Sequence, residues 1–145
     1  MLIKKILFPT DFSEVSRRAL EYAVYLKTTF EAELEIAHVI FDETYLVTSY
    51  VPQGTLQGFF GELESGAQQH LDNFLKECDV LKGLKYTTKL LKGSPYAEII
   101  RWAKETEADL IVIGTHGRTG LDHVLFGSTA EKVIGRASCP VLTIK

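Results

Sequence analysis

Three glycines and a serine in the carboxyl-terminal third of the chain have the spacing of a phosphate-binding loop. Gly114 and Gly117 follow the apolar run 110–113, and the pair Gly127-Ser128 stands further on, where helical periodicity begins. Glycine lets a backbone approach an anion closely, and the first amides of a helix point outward without partners. A strand, a glycine loop and a helix start in this order therefore predict a site for phosphate groups.

Two common nucleotide motifs are absent from this loop. No Gly-Lys-Ser/Thr triplet ends it, which excludes a Walker-type loop with its phosphate-binding lysine. The glycines at 114, 117 and 120 do not form G-x-G-x-x-G, and the loop is longer than the tight turn of a dinucleotide fold. The remaining pattern is G-x2-G-x9-G-S. The alternative interpretation is that these glycines only form turns and bind no ligand.

Composition limits the classes of partner. The 145 residues, 46% hydrophobic and 24% charged, predict one domain over residues 1–145 that can bury a substantial core. A net charge of −3 disfavours nucleic acid or an anionic membrane as a partner, and no run reaches the roughly 18 apolar residues of a spanning helix. Cys78 and Cys139 lack metal-binding spacing and suit a reducing compartment. We therefore expect a cytoplasmic protein whose partner is a small molecule or another protein.

Apolar runs alternate with helical periodicities along the chain. They predict strands at 2–8, 33–40, 85–91, 109–113 and 140–144, with helices over 13–30, over 60–78, from Pro95 and after Ser128. Strict alternation of this kind predicts an α/β fold: one doubly wound parallel sheet of five strands with helices on both faces. Only the segment 41–58 shows neither a helical nor a strand repeat of apolar residues. We therefore interpret it as a lid, a partner-binding segment or a disordered segment.

Two pairs of residues have spacings that indicate helix caps, a role that competes with ligand binding. Asp11 with Glu14, and Ser128 with Glu131, have the spacing of a capping box. Asp11 and Ser128 are therefore each predicted to cap a helix, to contact a ligand, or to do both.

The predicted topology independently indicates the same region. Ligands of doubly wound sheets bind outside the carboxyl ends of the strands where the winding direction reverses. In the order 3-2-1-4-5, that point lies between the first and fourth strands. Pro9-Thr10-Asp11 follows the first strand, and the glycine loop follows the fourth.

The G-x2-G-x9-G-S spacing after the fourth strand strongly resembles the ATP-binding branch of the universal stress protein family, and the resemblance covers nearly the whole chain. It implies the strand order 3-2-1-4-5 and ATP as ligand, with Mg²⁺ or Mn²⁺ held by the phosphates. It also implies adenosine near Pro9, Asp11, Val39 and Ile113, and phosphates near Gly127, Ser128 and Thr129. The predicted nucleotide-binding residues are Pro9, Thr10, Asp11, Val39, Ile113, Gly114, Gly117, Gly127, Ser128 and Thr129.

The function expected from this resemblance is a nucleotide-responsive binding module in the stress response. In this interpretation ATP orders residues 115–126, and an unidentified partner protein recognises the ordered loop. The alternatives are a slow ATPase or phosphotransferase that uses Asp11 or His116, and a nucleotide-free interaction protein. Catalytic motifs such as G-x-S-x-G and H-E-x-x-H are absent, so dedicated catalysis is not expected.

The resemblance finally implies a homodimer. The closing strand would be a short apolar edge, and an edge strand can pair with its copy in a second chain. The residues of this predicted pairing are Val141, Leu142, Thr143 and Ile144.

Overall fold

The computed structural model describes residues 2–41, 53–116 and 127–145. Within these ranges five strands alternate with four α-helices. They are β1 (Lys5–Pro9), α1 (Glu14–Phe30), β2 (Glu33–Phe41), α2 (Gln53–Glu77), β3 (Thr87–Gly93), α3 (Pro95–Glu105), β4 (Leu110–Gly114), α4 (Ser128–Arg136) and β5 (Val141–Ile144). A short 3-10 turn, Asp79–Leu81, follows α2. No helix in these ranges is both long and apolar enough to cross a lipid bilayer.

The five strands form one parallel sheet in the order β3-β2-β1-β4-β5, which confirms the predicted topology. The chain first winds outward from β1 to β3, then returns across the sheet to β4 and continues to β5. The winding direction therefore reverses between β1 and β4. Because connections leave these two strands toward opposite faces, a crevice opens at their carboxyl ends.

Two apolar clusters, one on each face, hold the helices against the sheet. Ile6 and Phe8 of β1 point into the cluster beneath α1 and α2, whereas Leu7 between them points into the cluster beneath α3 and α4. All three side chains are fully buried. Burying one such side chain contributes about 1.5–3 kcal/mol, so β1 stabilises both layers at once and fixes the register of the central strand.

Several element boundaries differ from the sequence-based expectation, and β1 covers Lys5–Pro9 rather than 2–8. Helix α2 begins at Gln53, so residues 53–58 of the segment predicted to be irregular are helical, and residues 42–52 lie outside the described ranges. Glycines at 54, 58 and 61 interrupt the helical repeat of apolar residues, so the sequence pattern did not indicate the start of this helix. Strand β3 covers Thr87–Gly93 rather than 85–91.

Both predicted capping assignments are wrong. Helix α1 is capped by Ser13, whose Oγ accepts the Ser16 amide at 3.2 Å, while Asp11 Oδ1 accepts the Ser13 amide at 3.0 Å. Asp11 therefore shapes the loop that leads into the helix and does not cap it. The N-cap of α4 is Gly127, and Ser128 is the first helical residue. No side chain at the cap position satisfies the first amides of α4.

The two edges of the sheet differ in charge. Strand β3 carries Lys89, whose ammonium lies 4.7 Å from the centre of the Trp102 ring, and Lys92, which lies 3.8 Å from the centre of the Phe60 ring. Lysines on an edge strand oppose pairing with another chain. Strand β5, at the opposite edge, contains the uncharged residues Val-Leu-Thr-Ile, all partly exposed.

Asp109 joins the beginnings of β1 and β4. Its carboxylate Oδ2 accepts the amides of Lys4 and Lys5 at 2.8 and 2.9 Å, and its own amide donates to the Lys5 carbonyl at 2.9 Å. Both amide hydrogen bonds hold the pKa of the Asp109 carboxyl below its ordinary value, and the bond from the Lys4 amide has the larger effect. The carboxylate thus stabilises the strand pair that flanks the crevice.

We expect Asp109→Asn to lower the free energy of unfolding at pH 7, with a penalty that shrinks in acid. A carboxyl whose folded-state pKa is lowered contributes stability above its unfolded pKa, about 3.9, and loses it as pH falls toward the folded value. Urea denaturation of parent and variant at several pH values between 7 and 3 measures the difference. Glu64→Gln, which neutralises an exposed carboxylate on α2, is the control. A pH-independent difference for Asp109→Asn would contradict this account.

Candidate ligand-binding site

A cavity of about 710 Å³ lies at the crevice between the carboxyl ends of β1 and β4. This volume is within the range of about 300–1,000 Å³ typical of small-molecule sites. Helix α2 forms one wall, and the beginning of α4 forms part of the opposite side. The cavity is lined by the predicted residues Pro9, Thr10, Asp11, Val39, Ile113, Gly114, Gly127, Ser128 and Thr129. Gly117 lies outside the described residues.

Thr10 fixes the floor of the cavity through four hydrogen bonds. Its amide donates to the Ala37 carbonyl, and its carbonyl lies 2.8 Å from Nδ1 of His38. A carbonyl can only accept, so the proton resides on Nδ1 of His38. Thr10 Oγ1 accepts the Phe12 amide at 3.1 Å and the Ser16 hydroxyl at 2.7 Å. One buried residue thereby joins β1, β2 and the first turn of α1.

Phe12 supplies an aromatic surface that the sequence pattern did not indicate. Its φ of 68° lies in the left-handed region, which is uncommon for a bulky residue and often marks a constrained site. The ring stacks on His38 with centroids 4.3 Å apart and meets the edge of His70 at 6.2 Å. All three side chains line the cavity, so strand β2, the first loop and α2 each contribute a ring.

Gly114 allows the end of β4 to lie against the start of α1. A Cβ atom at this position would be 3.1 Å from Cγ1 of Val15 and 3.4 Å from the Ser16 amide nitrogen. The first is closer than ordinary van der Waals contact, and a valine methyl on a helix has little freedom to move away. Gly114 therefore has a packing requirement in addition to its place beside the cavity.

Thr115 anchors the chain where it leaves β4 and where it returns. Its amide donates to the Ile144 carbonyl at 2.7 Å, and its carbonyl accepts the Gly127 amide at 2.5 Å. Its buried hydroxyl lies 2.9 Å from Nδ1 of His116. Sequence reasoning overlooked Thr115, although a small hydroxyl residue directly after a buried strand is a recognisable signal for such an anchor.

The first turn of α4 presents backbone amides at the cavity. Gly127, Ser128 and Thr129 all line it, and Gly127 as N-cap offers no side-chain acceptor. The first four amides of a helix have no intrahelical partners, and the helix dipole adds a partial positive charge there. Together with a cavity at the same place, this end of α4 suits an anionic group.

The ionisable side chains around the cavity are acidic or imidazole groups. Asp11 and Glu62 line it together with the histidines at 38, 70 and 116, and the described part of the lining contains no lysine or arginine. Among the residues that the structure describes, no group of three or more His, Cys, Asp or Glu side chains is arranged to hold a metal ion. Among the described residues of the lining, the backbone amides at the start of α4 are therefore the groups suited to an anion.

The two cysteines are not part of this site. Cys78 packs beneath α1 and Cys139 near β5, and neither lines the cavity. Burial raises the pKa of both thiols, which keeps them in the unreactive protonated form. Thiol chemistry is therefore not a feature of the cavity.

The fold and the site together define a doubly wound α/β protein with a small-molecule cavity at its topological switch point. The chain belongs to the universal stress protein family, whose model matches residues 2–145. This confirms the family that the glycine spacing indicated.

Similarity to individual members extends over the whole chain. The chain is 38% identical to universal stress protein MJ0531 of Methanocaldococcus jannaschii, over 99% of this chain and 83% of the relative. It is 32% identical to MJ0577 of the same organism, over 100% of this chain and 96% of the relative. The solved structure of MJ0577 superposes with a TM-score of 0.84 at 34% identity, covering 100% and 97% of the two chains. UspA from Lactobacillus plantarum superposes with a TM-score of 0.83 at 26% identity, covering 100% and 99%.

Proposed function

We propose that this protein binds ATP and acts as a nucleotide-responsive binding module in the stress response. The observation that carries the proposal is one cavity whose lining combines buried apolar side chains with a helix N-terminus. Val39 and Ile113, 9% and 6% exposed, belong to the apolar lining, and the first turn of α4 supplies the helix N-terminus. A nucleotide combines an apolar base with an anionic phosphate chain in the same way.

Each part of the ligand has residues suited to it. Pro9, Asp11, Val39 and Ile113 would surround the adenosine, and Gly114 would lie beside the ribose and phosphates. The amides of Ser128 and Thr129 would receive the phosphates. Gly127, whose amide donates to the Thr115 carbonyl, would lie beside them. Mg²⁺ or Mn²⁺ would be held mainly by phosphate oxygens, because Mg²⁺ commonly takes one or two carboxylates in addition to substrate phosphates. Asp11 is the carboxylate beside the cavity floor.

Two structural neighbours support a nucleotide ligand at a coarser level. One universal stress protein was solved in complex with cAMP, with a TM-score of 0.70 at 21% identity. Another, from Archaeoglobus fulgidus, was solved in complex with dAMP, with a TM-score of 0.70 at 23% identity. They share this fold, and the assignment of ATP to the present chain rests on its own cavity and glycine spacing. A cytoplasmic location and an unidentified protein partner belong to the same proposal.

The proposal and its two alternatives differ in what purified protein does with nucleotide. Asp11 and His116 both line the cavity, which favours a slow ATPase as the second candidate. We expect mass spectrometry of freshly purified, denatured protein to release ATP, and added ATP to remain intact with Mg²⁺ present. Steady ADP formation that is lost in Asp11→Asn or His116→Ala would support hydrolysis instead. Absence of nucleotide from the extract, with no calorimetric ATP binding, would support a nucleotide-free interaction protein.

Ser128→Asp tests the phosphate end of the site. An acidic residue in the first turn of a helix favours the dipole, so the variant should fold with at least the parent's stability. Against a triphosphate, the carboxylate adds a like charge and removes a hydroxyl donor whose charge-assisted hydrogen bond contributes roughly 1.5–3 kcal/mol. Calorimetry should show ATP affinity lowered by about tenfold to a hundredfold, and adenosine affinity changed far less.

The control for this variant is Ser138→Asp, which adds the same charge at an exposed position beyond the carboxyl end of α4. It should bind ATP as the parent does. Equal ATP affinity of parent and Ser128→Asp would remove the phosphate assignment at Gly127 and Ser128.

We also propose that the protein forms a homodimer through β5. The hydrogen bonds between β4 and β5 identify the residue at which a substitution tests this pairing. The carbonyls of Pro140 and Ile144 accept amides from the β4 side. Hydrogen-bonding direction alternates along a strand, so the amides of Leu142 and Ile144 face β4, whereas those of Val141 and Thr143 face outward. Proline at Leu142 would break the sheet itself, but proline at Thr143 removes an edge donor and is tolerated at an edge.

We therefore expect Thr143→Pro to convert a dimer to a monomer. Light scattering at micromolar concentration measures the mass, and Thr143→Val, which keeps the amide and nearly the same shape, should remain dimeric. A monomer mass for the parent protein, or a dimeric Thr143→Pro variant, would exclude the β5 pairing.

A further inference from the structure

Two cations of α4 lie close to one aromatic ring of α3, outside the cavity. The Lys132 ammonium is 4.7 Å and the Arg136 guanidinium carbon 5.5 Å from the centre of the Tyr96 ring. At such distances a cation is attracted to the electron-rich face of a tyrosine ring. Both cations are exposed, and none of the three residues lines the cavity. The three residues are here called the Tyr96 surface.

No carboxylate neutralises these two cations within the part of the chain that the structure describes. The ion pairs found there use other basic residues, namely Lys5, Arg17, Lys82 and Arg101. Glu98 of α3 is hydrogen-bonded to Arg101. Glu131 precedes Lys132 directly, and adjacent residues of a helix do not face each other. The Tyr96 surface therefore keeps two positive charges, because its ring is neutral.

A second ring on α3 shows how such charge can be balanced. Trp102 also has two cations near its ring, with the Lys89 ammonium at 4.7 Å and the Arg101 guanidinium carbon at 5.8 Å. Arg101 forms ion pairs with two carboxylates of its own helix, one three residues before it and one four residues after it. These spacings stabilise a helix. The Tyr96 surface has no such compensation among the described residues.

The stability of α4 alone does not explain this pair of charges. Lys132 and Arg136 are four residues apart, a spacing at which like charges destabilise a helix. Arg136 lies in the last turn, where the helix dipole favours a cation. Lys132 lies one turn earlier, and the effect of the dipole is confined to the last turn. A partner that supplies negative charge would remove the repulsion between the two side chains.

We propose that the Tyr96 surface docks an acidic segment of a partner protein. The guanidinium of Arg136 can bind a carboxylate through two parallel hydrogen bonds, and the Lys132 ammonium can pair with a second carboxylate. Tyrosine and arginine are also enriched among the residues that dominate binding at protein interfaces. The net charge of −3 opposes a long polyanion such as nucleic acid, whereas a short acidic segment needs only a local positive surface.

This surface is close to the cavity although it lies outside it. Tyr96 directly follows Pro95, which lines the cavity, and Lys132 is one helical turn beyond Ser128, which also lines it. A docked segment would therefore lie beside a molecule bound in the cavity. The inference goes beyond the proposed function and does not depend on nucleotide binding, since no residue of the surface contacts the cavity.

A hexaglutamate peptide is the probe for this surface. Titration into the whole protein at low ionic strength, followed by two-dimensional ¹H–¹⁵N NMR, should shift the amide signals of Tyr96, Lys132 and Arg136. The dissociation constant should rise on addition of NaCl, because salt screens exposed charges. The double variant Lys132→Gln/Arg136→Gln should bind the peptide about three- to tenfold more weakly. Glutamine has a helix propensity close to that of lysine and arginine, and circular dichroism checks that the variant folds.

The matched control is Lys76→Gln/Lys104→Gln, which removes the same charge from exposed positions on α2 and α3. It should bind hexaglutamate as the parent does. Equal weakening in the two double variants, signal shifts centred elsewhere, or no binding of hexaglutamate by the parent would overturn the proposal. Tighter binding of hexathymidylate than of hexaglutamate would also overturn it, in favour of nucleic-acid phosphates. Calorimetry with ATP tests the proposed function separately, so the two proposals can fail independently.

Discussion

The buried hydroxyl and backbone of Thr10 impose the constraint on which the cavity floor depends. Thr10 is 5% exposed, and its amide, carbonyl and Oγ1 all have partners within the protein. A buried polar group that loses its partner costs about 1–3 kcal/mol, so any movement of the end of β1 relative to α1 or β2 is opposed by several such penalties. The same bonds hold Phe12 at its positive φ. Backbone strain at that residue persists because its surroundings leave it no alternative.

The two sides of the cavity differ in how firmly they are attached to the sheet. The floor and the start of α4 are tied to the sheet by Thr10, by the close approach of Gly114 to α1 and by the bonds of Thr115. Among the described side chains of α2, the buried ones, Leu71 and Phe74, lie in its carboxyl-terminal half. A region with few buried apolar contacts opens at lower free energy than the core. The cavity thus combines a side that is held to the sheet with a wall at α2 that has fewer buried attachments.

The sequence was sufficient for the element order, because the apolar period depends on many residues at once. The strand order came from the family resemblance, and with that order the reversal rule located the cavity. It was insufficient where two similar side chains compete for one role. Asp11 and Ser13 both suit a helix cap, and only the structure shows that Ser13 caps while Asp11 supports the loop. At α4, the capping-box spacing of Ser128 was misleading because Gly127 occupies the cap position. The ring of Phe12 and the wall formed by α2 depend on long-range packing, which no local pattern encodes.

The unequal edges of the sheet determine how assembly through this sheet ends. At β3, Lys89 and Lys92 lie over aromatic rings and place charge along the strand, whereas β5 offers a short uncharged ladder. In the proposed dimer, edge pairing about a two-fold axis would use β5 of both copies and leave the lysine-bearing β3 strands at the outer edges. The charge on β3 would then oppose the addition of a third chain, so that the complex would be closed and of defined size rather than an open-ended fibre.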